Sequence, residues 1–158
     1  MLGCNDERLM KIDSIHIKNF RGISESVTIP IKPITLFIGP NSSGKSTVIH
    51  ALAALSQTAK VQNDSRPLVL DDEFASVHLG RFIEVIHSKN YGDAICLGLK
   101  MKDVLIRDLK DRQPKPSPTD VEIGFEFKST TRTQKLFIET ARAQGGAIFL
   151  SVNLASSN

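Results

Sequence analysis

Residues 11–18 alternate polar and apolar positions, with Ile15 and Ile17 on one face, and this predicts a half-buried strand. Residues 26–31 repeat the texture and predict a second strand, interrupted by Pro30, a residue that sheets hold at their edges. Asn19-Phe20-Arg21-Gly22 begins the turn between them. Residues 34–38 are a continuous apolar run, Ile34-Thr35-Leu36-Phe37-Ile38, which predicts a buried strand. From 46 to 56 the pattern changes. Val48, Ile49, Ala51, Leu52, Ala53, Ala54 and Leu55 predict a mostly buried helix. Beyond the polar stretch 59–66 the texture returns to short strands, expected at 82–86, 94–101, 121–128, 135–139 and 147–152. Asn63-Asp64-Ser65, Lys89-Asn90 and Gly145-Gly146 supply breaks. The proline-rich stretch 111–118 cannot sustain regular hydrogen bonding and predicts an exposed linker. Strands separated by short turns predict an antiparallel sheet. Residues 1–9 are polar and patternless, expected as a disordered tail or an upstream start, which leaves 10–158 as one domain.

The junction between the apolar run and the helix carries the chemistry. Gly39, Pro40, Asn41, Ser42, Ser43, Gly44, Lys45, Ser46 and Thr47 satisfy the pattern G-x-x-x-x-G-K-[ST] at every required position. Gly39 and Gly44 lack a Cβ, so the loop can curl and bring its N–H groups close to phosphate oxygens. Lys45 can reach the β- and γ-phosphates as a point charge, and the Ser46 hydroxyl can enter the shell of a Mg²⁺ ion. Thr47 offers a further hydroxyl toward the α-phosphate. The positive end of the following helix faces the same anion. Strand, loop and helix occur in the order a triphosphate site needs, so ATP with Mg²⁺ is the expected ligand.

Composition adds limits rather than direction. The 158 residues are 41% hydrophobic and can bury one good core. A net charge of +3 and a pI near 9.0 admit contact with DNA, although 20 basic against 17 acidic residues is a mild excess. Arg107, Lys110, Arg112 and Lys115 cluster about the proline stretch, interleaved with Asp108 and Asp111, as a solvated face or a contact for DNA phosphates. Cys4 and Cys96 show no metal-ligand spacing, which fits reduced thiols in a cytoplasmic protein. No apolar stretch reaches the ~18 residues of a membrane span. The four histidines, His16, His50, His78 and His87, are scattered and expected to pack or to face solvent.

The stretch Ile15-His16-Ile17-Lys18-Asn19-Phe20-Arg21-Gly22, a second strand and then the phosphate loop resembles the N-terminal lobe of ABC-type ATPase heads of the RecF, SMC and OLD group. Within that group Leu68-Val69-Leu70 followed by Leu79-Gly80-Arg81-Phe82 is similar to predicted ATPases related to OLD nucleases. The resemblance implies an α/β fold, a P-loop NTPase N-terminal lobe with a mixed sheet around the P-loop helix and an antiparallel β subdomain. It also implies that Arg21 lies near the nucleotide phosphates, and that two heads, in a homodimer or with a partner ATPase lobe, sandwich ATP when they hydrolyse it in DNA repair or phage defence.

Hydrolysis also needs an acid to position the metal and a polar group to orient water. Leu68-Val69-Leu70-Asp71-Asp72-Glu73 has the look of such a strand end, but it follows Lys45 too soon to allow the intervening sheet of an ABC-type head. No Leu-Ser-Gly-Gly-like signature or late switch histidine follows, and Gln144 is a weak counterpart of the glutamine that joins the two lobes. Three classes stay open: an ATP-binding lobe whose turnover needs a C-terminal lobe or partner, a nucleotide-binding module without turnover, and a small P-loop phosphotransferase. The strand-rich second half lacks the arginine-rich lid of the third, and no Asn-Lys-x-Asp motif supports a GTPase.

Overall fold

Residues 11–41, 43–60, 68–71, 73, 75–106, 117–129 and 134–143 are described by a computed structural model of the chain. The elements run β1 (Lys11–Lys18), β2 (Val27–Pro30), α1 (Lys45–Lys60), α2 (Phe82–Val85), β3 (Ala94–Ile106), β4 (Ser117–Ser129) and β5 (Gln134–Ala143). The strands form one sheet in the order β2-β1-β3-β4-β5, and every pairing is antiparallel.

Alternation decides which face of this sheet becomes the core. Ile15 and Ile17 on β1 lie opposite Leu99 and Leu97 on β3, and Leu97 and Ile95 lie opposite Phe125 and Phe127 on β4. These side chains project to one face, where Ile15, Ile17, Ile95, Leu97 and Phe127 are buried. The other face carries His16, Lys18, Lys100, Glu122 and Glu126, the polar half of the same period. His16 is held there by Thr28 and Ser26 at 3.2 and 3.3 Å.

Helix α1 covers the apolar face. Its buried residues Thr47, Val48, Ala51, Ala54 and Gln57 recur at helical spacing and form a single stripe. Gln57 is buried yet satisfied, because its Nε2 donates to Val69 O at 2.6 Å and its Oε1 accepts from Val77 N at 3.4 Å. Thr58 Oγ1 accepts from Val69 N at 2.9 Å. The C-terminal half of α1 therefore takes up both backbone groups of Val69 and fixes the buried segment Leu68-Val69-Leu70.

Three expectations are corrected. Residues 82–86, expected as a strand, form the one-turn helix α2 followed by an isolated bridge at Ile86. Phe82, Val85 and Ile86 are the buried positions, and their spacing of three and four is helical rather than alternating. Glu84 at the third helical position closes the turn, accepting from Arg81 N at 2.9 Å. Residues 34–38 form no strand, and the described sheet is antiparallel rather than mixed. A strand exists only where a neighbour takes its N–H and C=O groups, and no described segment does so here. Phe37 packs against the core, while Ile34, Leu36 and Ile38 stay 91, 77 and 85% exposed. The strand expected at 147–152 lies outside the described residues.

Candidate functional site

The phosphate loop sits where residues 34–38 meet α1. Gly44 has φ +89°, a left-handed conformation that only glycine takes without strain, and its carbonyl accepts the Thr47 N–H at 2.9 Å as the helix begins. Ser43 N donates to Pro40 O at 3.3 Å and tightens the bend. Lys45 Nζ folds back over the loop, donating to Gly39 O at 2.8 Å and to Pro40 O. Among the described residues its ammonium is thus held by neutral carbonyls and by no carboxylate.

The Asn19-to-Gly22 turn packs directly on this loop. Arg21 has φ +49°, and the strain is held by bonds on both sides. Arg21 N donates to Val85 O at 2.5 Å, the His87 ring N–H donates to Arg21 O at 2.7 Å, and His87 N donates to Asn19 O at 3.2 Å. The Asn19 side chain donates to Ala94 O and accepts from Ser88 N, each at 2.9 Å. Phe20, fully buried, bridges to Ile86. On the loop side Gly22 N donates to Thr47 Oγ1 at 3.4 Å. A Cβ at Gly22 would lie 3.3 Å from Gly44 Cα, a tight contact that a larger residue could keep only if the loop or the turn gave way by a few tenths of an ångström.

Together these elements wall a hollow of about 530 Å³. Of the sequence-predicted residues Arg21, Asn41, Gly44, Lys45, Ser46 and Thr47 line it; Gly39, Pro40 and Ser43 shape the loop behind, and Ser42 lies outside the described residues. His50, Glu84 and Lys89 also line it and were missed by sequence reasoning. His50 was legible in principle, since it follows Ser46 by four residues on one helix face. Its Nδ1 is buried with no hydrogen-bond partner among the described residues, and burial, with the Arg21 charge second, pushes its pKa below the usual imidazole range. Glu84 and Lys89 arrive through tertiary folding and left no sequence signal. The Glu84 carboxylate is tied to Arg81, whose backbone N–H and guanidinium hold it below its ordinary pKa.

The arrangement fits a magnesium triphosphate. Arg21, Lys45 and Lys89 bring positive charge to one hollow, while the carboxylate of Glu84 already has its partner. Ser46 is exposed at the mouth of α1. Among the described residues no three His, Cys, Asp or Glu gather as a metal cage.

Other candidates fall elsewhere. Asp71 pairs with His78 at 2.6 Å on the exposed surface and does not line the hollow, whereas Asp72 lies outside the described residues. Arg107, Lys110, Arg112, Lys115 and Gln144 also lie outside them, as do residues 1–10. No helix among the described residues is long and apolar enough to cross a membrane.

Comparison with known proteins gives the family. A family described as AAA ATPase domain matches residues 10–150. The chain is 22% identical over 157 residues to a DNA replication and repair protein RecF of Shouchella clausii, an alignment covering 90% of this chain and 40% of that protein. It is 44% identical over 43 residues to a protein of the same name from Prosthecochloris aestuarii, covering 27% of this chain and 12% of that one. The chain therefore spans at most about two-fifths of the length of these curated relatives.

Proposed function

Since the chain belongs to the AAA ATPase domain family, we propose that it is the ATP- and Mg²⁺-binding lobe of a RecF-like ATPase, acting in DNA repair or phage defence. The observation that carries this reading is the hollow at the phosphate loop, where Arg21 and Lys45 converge and the Gly22–Gly44 contact closes the wall. Lys45 trades the carbonyls of Gly39 and Pro40 for the β- and γ-phosphates, and Arg21 neutralises further phosphate charge. Bound Mg²⁺ supplies charge neutralisation across the phosphates, with Ser46 among its ligands. The Leu79-Gly80-Arg81-Phe82 segment favours the OLD-nuclease-like branch of the group.

Turnover requires more than this lobe, in the form of a C-terminal lobe, a second copy or a partner ATPase. Two observations support that view. Ile34, Leu36 and Ile38 form an exposed apolar stripe with no described strand beside them, as a sheet awaiting neighbours would. The Glu84 carboxylate, in a residue that lines the hollow, is committed to Arg81 rather than poised toward a water. The same commitment favours the second reading, a nucleotide-binding module without turnover.

Binding of a fluorescent ATP analogue with Mg²⁺ tests the assignment. Lys45→Ala removes a charge-assisted hydrogen bond and weakens binding roughly 10- to 150-fold; unchanged affinity refutes it. Rapid hydrolysis by the pure chain, abolished in Asp71→Asn, would show that the surface acid acts after all.

A further inference from the structure

Arg21 and Lys45 account for the expected cations of the hollow, but a third, Lys89, has no assigned work. It lies between α2 and β3 with φ +55°, a left-handed conformation that bulky residues avoid. Asn90, a residue that tolerates this conformation better, is its immediate neighbour, yet Lys89 takes the strain. Among the described residues Asn19, Arg21, Lys89 and Asp103 are the non-glycine positions with positive φ. Two of them, Arg21 and Lys89, are cations lining one hollow. Strained backbone of this kind persists where surrounding structure enforces it, and it gathers at ligand clamps.

The electrostatics agree. Lys89 Nζ donates to Glu84 O, a backbone carbonyl, at 2.7 Å. The carboxylate of the same residue is hydrogen-bonded by Arg81, so Lys89 acts on it only through space and its hydrogen bond there goes to the neutral carbonyl. This is the situation of Lys45 on Gly39 O: an ammonium parked on a carbonyl beside a phosphate site.

We propose that Lys89 is a third nucleotide-binding cation, which leaves the Glu84 carbonyl for a phosphate oxygen when ATP binds. The inference rests on the phosphate-loop reading and deepens it. Lys89 comes from the connection into the antiparallel sheet, and the preceding residues Val85 and His87 hold the Arg21 turn. One short segment thus supplies one cation and positions another, so that nucleotide at the loop is felt at the start of β3.

The test compares wild type, Lys45→Ala, Lys89→Gly, Lys89→Gln and Lys89→Arg by titration with Mg-ATP and with adenosine, alongside thermal melts. Glycine removes the charge and relieves the left-handed strain together. The proposal expects Lys89→Gly to melt no lower than wild type yet bind Mg-ATP roughly 10-fold more weakly, with Lys89→Gln similar and Lys89→Arg nearer wild type. Adenosine, lacking phosphate, should bind wild type and the Lys89 variants alike. If Lys89→Gly and Lys89→Gln bind Mg-ATP as wild type does while Lys45→Ala fails, Lys89 is only a loop residue and the phosphate-loop reading stands. If wild type itself does not bind Mg-ATP, both fall.

Discussion

Gly22→Ala probes the contact that builds the site. The new Cβ would sit 3.3 Å from both Gly44 Cα and Thr47 Oγ1, and 3.7 Å from Gly44 N. Gly22 is not among the positive-φ residues, so the substitution adds no backbone strain of its own and the effect is one of packing. Overpacking of this kind costs about 1–3 kcal/mol when the neighbours cannot yield. Gly44 Cα belongs to the main chain, so no side-chain rotation relieves it. Relief must come from the turn or from the loop. The turn is clamped by Arg21 N to Val85 O, by His87 and by the Asn19 side chain, whereas the loop is exposed and its bend rests on the longer Ser43-to-Pro40 bond. The loop should therefore move, and the cost should appear mainly in nucleotide binding. Calorimetric titration with Mg-ATP should show a loss of roughly 5- to 150-fold, the range equivalent to that energy. The melting temperature should fall by no more than about 4 °C, since ~1 kcal/mol or less remains in the fold. A large fall in melting temperature with unchanged affinity would mean that the turn, not the loop, gives way. No change in either would mean that the two segments do not touch as described.

Two further outcomes follow from burial and charge. Replacing Ile34, Leu36 and Ile38 together by Thr should change stability by only about 1–2 kcal/mol, because each side chain is largely exposed. Light scattering should show less self-association of the variant, and a collapse in the urea midpoint would show instead that the stripe is covered within this chain. His50 carries a pKa pushed below its unfolded value of about 6.5 by burial and by Arg21, in a hollow that Lys45, Lys89 and Glu84 also line. The folded chain then binds fewer protons than the unfolded one, so this contribution is complete above pH 6.5 and is lost progressively as pH falls toward the depressed value. Urea melts at pH 7.5, 6.5 and 5.5 should show a shallower acid loss for His50→Gln than for wild type; identical pH slopes would refute the assignment.

The sequence by itself determined what depends on neighbours in the chain. β1 was legible to its ends because its partners bury one face, so alternation survives in the residues. The motif from Gly39 to Thr47 was legible because it is contiguous, and the bend at Gly44 rests on backbone geometry that glycine permits. Tertiary structure decided the rest. Residues 34–38 have a strand's composition but no described strand beside them, since an apolar run cannot name the groups that will bond it. Residues 82–86 hold apolar side chains compatible with either period, and the burial of Phe82, Val85 and Ile86 with the Glu84 cap selected a helical turn. The walls of the hollow follow the same rule. Arg21 reaches the loop because Val85 and His87 grip its turn, and Lys89 reaches it because α2 ends there. These contacts join residues more than sixty apart, and no local pattern encodes a distance of that kind.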